Sequence, residues 1–326
     1  MRYRTFGRSG LQVSELVFGG GWVGGVLIHA DDETKRQVFR RALDAGINWI
    51  DTAANYGQGK SEEAIGWLLQ EVADKPYIST KVYLDLARLD DVQGQVERSM
   101  AESLQRLRLE SVELMQLHNP IGPETTERMI SVEHVLRQGG VADALDRLRA
   151  QGLTRLIGFT ALGDAAACRE VIASRRFDSA QVYYNMLNPS AARPMPPAWT
   201  GHHFDGLIAA CKEHGVAVMN IRVLAAGVLA SEQRHGREIP ITEHADLDAE
   251  AARARAIFAR LGDRYGTRAQ TAIRFALANP DLACIVIGLA EPAHLEEALA
   301  AVEMGPLPQE ALAVLEELYA SDFGRT

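Results

Sequence analysis

This 326-residue sequence contains no run of about 18 apolar residues, so no segment reads as a membrane-spanning helix. The N-terminal MRYRTFGRSG also lacks the apolar stretch of a secretory signal. Cysteine is scarce: Cys168, Cys211 and Cys284 lie far apart, with no C-x-x-C and no Cys/His cluster, which suggests neither a disulfide framework nor a zinc site. They read as small apolar filler. Positive charge is in deficit, 34 Lys and Arg against 43 Asp and Glu for a formal net charge of -9, which argues against an electrostatic nucleic-acid binder. A local anion pocket stays open. Biased linkers and internal repeats are missing too, while the apolar share of 47% and the charged share of 24% are ordinary. The expectation is a soluble cytoplasmic protein, one domain over 1–326, with no metal, membrane or nucleic-acid partner and its oligomeric state open.

What is there is a rhythm. After an N-terminal hairpin in YRTFGRSGLQVSEL, with its turn at Gly7 to Gly10, β-type runs occur at 16–20, 47–52, 77–82, 112–118, 155–160, 179–184, 217–223 and 284–288. Helical spacing lies between them, as in Val92, Val96, Met100, Leu104 and Leu107, or Val141, Ala144, Leu145 and Leu148. A further set, Ala64, Ile65, Leu68 and Leu69, follows Ser61 as N-cap, with Glu62 and Glu63 complementing the helix dipole. Eight strands alternating with helices fit a closed parallel (β/α)8 barrel of the TIM type, with the hairpin in front and an extra C-terminal helix over Pro308 to Tyr319. Three longer loops, 119–140, NPSAARPMPPAWTG (188–201) and 225–248, follow strand C-termini, the face on which barrels carry their sites.

Three strands end on ionisable residues at positions otherwise made for burial: Asp51, Lys81 in YISTKV, and His118 in VELMQLH. A single such residue reads equally well as a capped or paired strand end. Three on one face of a barrel converge on one mouth. Asp51 and Lys81 could pair and both stay charged, and the ammonium would stabilise a phenolate at Tyr56 in the loop after the second barrel strand. A phenol near its ordinary pKa of about 10 is a poor acid or base at neutral pH, so that neighbour brings it into a workable range. With His118 orienting an oxygen, the set reads as proton exchange at a carbonyl or alcohol.

These residues resemble the aldo-keto reductase superfamily. GINWIDTAANYGQGKSEEAIGWLL carries Gly46, Asp51, Thr52, Ala53, Tyr56, Gly57, Ser61, Glu62 and Gly66 in that family's spacing, followed by Lys81 in STKV and His118 in LMQLH. The similarity runs from FGRSGLQVSELVFGGG to VIGLAEPAHLEEAL. The resemblance implies a barrel that binds nicotinamide without a Rossmann fold and moves a hydride between cofactor and a carbonyl or alcohol carbon. It makes Tyr56 the general acid or base, Lys81 and Asp51 its tuning pair, and His118 the group that positions the substrate oxygen. Within the family, RLIGFTALG and GGGWVGG look most like NAD-linked sugar 1-dehydrogenases, similar to L-galactose and D-threo-aldose dehydrogenases, which oxidise an aldose at C1 to a lactone. General aldehyde or ketone reduction is the alternative.

The resemblance also implies cofactor contacts. Gly21 and Trp22 would border nicotinamide and substrate, unless Trp22 is a packed surface ring. Thr160 and Gln181 would hold the carboxamide, although Ala161 stands where the family commonly has asparagine. NIRVLAAGVL replaces an aromatic-Ser-Pro-Leu run, so Ile221 either packs alone or leaves stacking to a ring from another loop. Leu224, Ala226 and Gly227 suit a loop closing over the pyrophosphate, and Arg222 either touches phosphate or is solvated or ion-paired. In IGLAEPAHLEEAL, with Gly288, Ala290, Glu291, Glu297 and Ala298, a carboxylate near the ribose accepts from a 2'-hydroxyl and repels a 2'-phosphate; Glu291 could instead be a helix N-terminal acid. The expected cofactor is NAD in preference to NADP, and the expected ligand is a small carbonyl compound or sugar.

Three other readings compete. Gly19 to Gly24 formally matches G-x-G-x-x-G, but a Rossmann helix would open at those glycines, whereas here it starts near Asp31 or Asp32. A lyase with a Schiff base on Lys81 would leave Asp51 and Tyr56 unexplained. A nicotinamide-binding regulatory subunit would leave the four filled catalytic positions without use.

Overall fold

The computed structural model describes residues 1–233, 236–239, 241 and 246–324. The chain opens with β1 (Tyr3–Thr5) and β2 (Gln12–Ser14), an antiparallel hairpin with Tyr3 opposite Ser14. Then follow β3 (Leu16–Gly19), α1 (Val26–His29), α2 (Asp32–Asp44), β4 (Trp49–Asp51), α3 (Lys60–Leu68), β5 (Tyr77–Val82), α4 (Val92–Leu107) and β6 (Val112–Leu117). The loop after β6 holds the two-residue strands β7 (Ile121–Gly122) and β8 (Ile130–Ser131) and the short α5 (Val132–Leu136). The remainder is α6 (Val141–Ala150), β9 (Thr154–Ala161), α7 (Ala165–Ala173), β10 (Ser179–Tyr183), α8 (Leu207–His214), β11 (Ala217–Ile221), α9 (Leu247–Leu261), α10 (Arg268–Leu277), β12 (Cys284–Gly288), α11 (Pro292–Met304) and α12 (Gln309–Ala320).

Eight of these strands close on one another in the order β10-β11-β12-β3-β4-β5-β6-β9, all neighbours parallel. They are the eight predicted runs, and closure leaves the barrel without an edge to protect. Most of their residues are buried on both faces, which is why they read as apolar runs rather than alternating ones; Arg155 and Gly288 are exposed near strand ends. The expected apolar stripes of α4 and α6 face inward, with Val96, Met100, Leu107, Val141, Leu145 and Leu148 fully buried. A closed barrel rather than an open sheet overturns the dinucleotide-fold reading of Gly19 to Gly24.

The hairpin closes the N-terminal end of the barrel. Phe6 and Val13 join Trp49, Leu114 and Met219 in a second buried cluster, where Phe6 stacks on Trp49 at 4.8 Å between ring centroids. Arg4 donates to the carbonyls of Leu277, Asn279 and Leu282 and pairs with Glu15, tying the hairpin to the chain on either side of the α10–β12 turn.

Two local expectations change. The chain enters α3 through Gly59 at φ +92°, so the helix starts one residue before Ser61 and Ser61 is not its cap. The Ser61 hydroxyl points inward instead, 2.8 Å from the Thr52 hydroxyl behind Asp51. Glu63 is exposed in the first turn as a dipole partner should be, but Glu62 is buried, bonded to Arg106 at 2.7 Å and to Thr80 at 2.5 Å. Helix α2, by contrast, is capped as its sequence suggests, by Asp31 accepting from the Thr34 amide. The predicted C-terminal helix is α12, anchored by the Tyr319 hydroxyl on the Met186 carbonyl at 3.0 Å. Residues 234, 235, 240 and 242–245 of the expected loop 225–248 lie outside the described residues, as do 325 and 326. Among the described residues no helix is long and apolar enough to cross a membrane.

Candidate active site

Register places the polar strand residues side by side. Asp51 stands opposite Gly19 and Ser79, Lys81 opposite Gln116, Gln116 opposite Gly158, and Thr160 opposite Gln181. Lys81 is fully buried, and its Nζ donates to Asp51 Oδ2 and to the Thr52 carbonyl, both at 2.7 Å. The same ammonium lies 3.5 Å from the Tyr56 hydroxyl and 4.8 Å from the centre of its ring. Burial by itself pulls the Lys81 pKa down; the Asp51 carboxylate, with Tyr56, outweighs that and holds it above the ordinary lysine value. Lys81 is thus kept as an ammonium, which disfavours the free amine that a Schiff base needs.

The other carboxylate oxygen is more crowded. Asp51 Oδ1 accepts from Ser79 Oγ at 2.7 Å, Gln181 Nε2 at 2.8 Å and Gln116 Nε2 at 3.2 Å, and Ser79 in turn accepts from Trp49 Nε1 at 2.9 Å. Desolvating a carboxylate in a barrel core is tolerable only with such partners. Gly158 makes room, because a Cβ there would press on Ser179 and come within 3.2 Å of Gln116. Ser79 and Gln116 are positioning residues that the sequence reading missed. Their signal was present, a serine and a glutamine in the middle of the buried runs YISTKV and VELMQL.

His118 is held by its backbone N–H on the Val82 carbonyl at 2.8 Å, and its ring meets the Tyr56 ring edge-on with centroids 5.6 Å apart. Burial, and then the Lys81 ammonium, push its pKa down to about 3, so the imidazole is neutral at physiological pH. Its buried Nδ1 has no hydrogen-bond partner among the described residues. Asp51, Lys81, Tyr56 and His118 are therefore gathered at one place, as the sequence suggested.

Over them opens a cavity of about 1010 Å³ whose wall includes Asp51, Tyr56, His118, Gly21, Trp22, Thr160, Gln181, Ile221, Arg222, Leu224, Ala226, Gly288, Glu291 and Glu297. Every predicted cofactor residue borders it. Individual roles are more nuanced. Trp22 is 41% exposed and meets His29 edge-on, so it is neither packed away nor free. Gln181 gives an amide N–H to Asp51, while among the described residues its Oε1 has no hydrogen bond and the buried Thr160 hydroxyl has no partner. The Arg222 guanidinium donates to the Ile239 carbonyl at 2.8 Å. Glu291 is the residue before α11, makes no cap hydrogen bond and lies 3.5 Å from His294, while Glu297 accepts from Thr267. After β11, Arg222, Ala225 and Ala226 all have positive φ, between 47° and 60°, a left-handed path costly for residues with a Cβ and concentrated on the loop that lines the cavity. The three cysteines are free and buried, and burial pushes their thiols up, away from reactivity.

A family model described as the Aldo/keto reductase family matches residues 15–320. Among curated proteins, L-galactose dehydrogenase of Arabidopsis thaliana is 24% identical over 97% of this chain and 93% of its own length. D-threo-aldose 1-dehydrogenase of a Pseudomonas species is 28% identical over 89% of each. Among solved structures, an aldo-keto reductase of Bacillus halodurans in its holo form superposes with a TM-score of 0.75, at 22% identity over 98% of this chain and 96% of that one, a likeness of fold.

Proposed function

The chain belongs to the aldo/keto reductase family, and on that premise we propose that it moves a hydride between a nicotinamide cofactor and a carbonyl or alcohol carbon, in the direction of oxidising an aldose at C1 to a lactone. One observation carries the reading: Lys81 Nζ sits 2.7 Å from Asp51 and 3.5 Å from the Tyr56 hydroxyl at the floor of the cavity. A phenol beside a fixed ammonium is suited to giving and taking a proton, because its anion is stabilised in place.

The cavity suits the cofactor. Its volume is at the upper end for cofactor sites. The partnerless Thr160 hydroxyl and the unused Gln181 Oε1 match a carboxamide, which both donates and accepts. A bound nicotinamide supplies or accepts the hydride. Tyr56 as phenolate takes the proton of the sugar hydroxyl in oxidation; as phenol it gives a proton to the carbonyl oxygen in reduction. Lys81 stabilises the phenolate, and Asp51 holds Lys81 between Tyr56 and the Thr52 carbonyl. Neutral His118 has one N–H with which to hold the substrate oxygen and adds no positive charge to compete with Lys81.

Preference for NAD over NADP is supported by the carboxylates of Glu291 and Glu297 and the small Ala290 and Ala298 in the cavity wall. A 2'-hydroxyl meets an acceptor there, and a 2'-phosphate meets repulsion.

The test is a panel of aldoses and aldehydes with NAD or NADP, oxidised or reduced, followed by nicotinamide absorbance. Turnover should favour NAD, and Tyr56→Phe should lower kcat by about 10²-fold or more while cofactor affinity is kept. Retained activity in that variant defeats the proton role of Tyr56. Cofactor binding with no turnover on any substrate would favour a regulatory, binding-only protein.

A further inference from the structure

The cavity has two half-walls of different charge. On the side built by β10, β11 and β12 the signs are mixed, with Arg222 and Arg237 beside Glu291 and Glu297. On the side built by β3, β4, β5, β6 and β9, the Asp51 carboxylate is neutralised by Lys81, and the one other charged residue among the described lining residues is Arg128. Counted over its described lining residues, that side of the mouth is net positive in a protein of formal net charge -9, and Glu124 and Glu127 of the same exposed loop are not in the lining.

Arg128 is presented rather than committed. It lies in the loop between β7 and β8, where a turn holds its backbone: the amides of Arg128 and Met129 donate to the Thr126 hydroxyl at 3.2 and 3.0 Å, and the Thr126 amide donates to the Met129 carbonyl at 2.9 Å. Its guanidinium has no hydrogen bond or ion pair among the described residues. The same wall shows Trp22 and Tyr83, 41% and 50% exposed, rings that offer an apolar face with a polar tip. Tyr83 also meets His118 edge-on, with centroids 6.1 Å apart, which ties the rim to the floor.

Resting on the reading of Tyr56 and His118 as the reacting end, we infer that the substrate is an anionic sugar, an aldose carrying a carboxylate or phosphate remote from the reacting carbon, which Arg128 receives. A guanidinium is the side chain best matched to either anion, since its planar N–H pairs bind two oxygens at once. A protein with this excess of acid repels anions at long range, so a cation at the rim acts where screening over about 8 Å has removed the distant charges. An uncharged sugar offers it hydroxyl acceptors but no charge partner.

The experiment uses matched sets of glucose, galactose and mannose with their uronates and 6-phosphates, measured as kcat/KM with NAD and as calorimetric binding in the presence of NAD. In at least one set an anionic member should exceed its neutral partner by about tenfold or more, as charge-assisted hydrogen bonds to one guanidinium allow. Arg128→Gln should bring that ratio to within about twofold of unity, Arg128→Lys should keep part of it, and high salt should shrink it in the wild type. Uronates ahead of phosphates would identify the carboxylate as the natural anion, and the reverse order the phosphate. Neutral sugars equal to or better than anionic ones in every set, or a preference that survives Arg128→Gln, overturns the inference. Anion-selective binding that needs Arg128, without turnover, keeps it and rejects the redox reading; turnover confined to neutral sugars does the opposite.

Discussion

Asp51 receives four side-chain donors, Lys81, Ser79, Gln181 and Gln116, and so acts as the anchor from which the ammonium and the phenol take their places. The sign of the His118 shift makes a second residue-scale statement. In the unfolded chain the imidazole takes a proton near its ordinary pKa of 6.5, whereas in the fold it resists protonation down to about 3, through burial and the Lys81 charge. The native state therefore binds fewer protons than the unfolded state across that window, so stability rises with pH there and is lost as the solution is acidified. Urea midpoints measured from neutral pH downward should fall more steeply for the wild type than for His118→Asn. Parallel curves for the two proteins would refute the assignment. Lys81 has the opposite dependence. With its pKa raised, its contribution is complete below the ordinary lysine value of 10.5 and fades only as pH climbs through the higher folded value.

At the scale of elements, α3 and α4 meet backbone to backbone. A Cβ at Gly66 would overlap the Arg106 carbonyl oxygen and lie 3.0 Å from the Leu107 carbonyl carbon, and neither of those atoms can swing away as a side chain would. Gly66→Ala should therefore destabilise by about 1–3 kcal/mol as an overpacked contact, partly offset by about 1 kcal/mol of better helix propensity. Equilibrium denaturation reads the balance, and a variant as stable as the parent would show that the helices separate without cost. The contact matters to the site because Arg106 also holds the buried Glu62, which bonds Thr80 beside Lys81. Close packing of two outer helices thus supports a strand residue next to the proposed proton-transfer group.

At the scale of the whole molecule, the barrel has one open end and one plugged end. Phe6, with no exposure, fills the plugged end against Trp49, and the Trp49 indole donates to Ser79, which donates to Asp51. Phe6→Ala should cost about 3–5 kcal/mol, the range for a large aromatic removed from a core. Chemical denaturation checks the figure, and a loss below about 1 kcal/mol would mean that the hairpin is an ornament rather than a plug. The path from Phe6 through Trp49 and Ser79 to Asp51 is an unbroken chain of contacts from the plugged end of the barrel to its mouth.

Periodicity determined much of this without coordinates. Apolar runs that must be buried on both faces, alternating with amphipathic helices, leave a closed parallel barrel as the economical arrangement, and charged residues at the ends of such runs mark its mouth. Asp51, Lys81 and His118 were legible for that reason, and Tyr56 by its place in the loop that follows the strand Asp51 ends, with the family resemblance supplying its spacing. Ser79 and Gln116 were not singled out, because one polar residue inside a strand does not say which neighbour it faces; strand register decides that, by setting Ser79 beside Asp51 and leaving Gln116 the space at Gly158. Ser61 carried a cap signal that tertiary structure overrode, since a left-handed Gly59 starts the helix earlier and Thr52 offers the hydroxyl a buried partner. Arg128 was one arginine among many in a long loop. Only closure of the barrel brings that loop to the rim and sets its charge against a wall that has no other uncompensated one among the described residues. Local sequence specifies which surfaces a segment must bury, but which side chains then meet across strands is a property of the closed sheet, and the chemistry resides in those meetings.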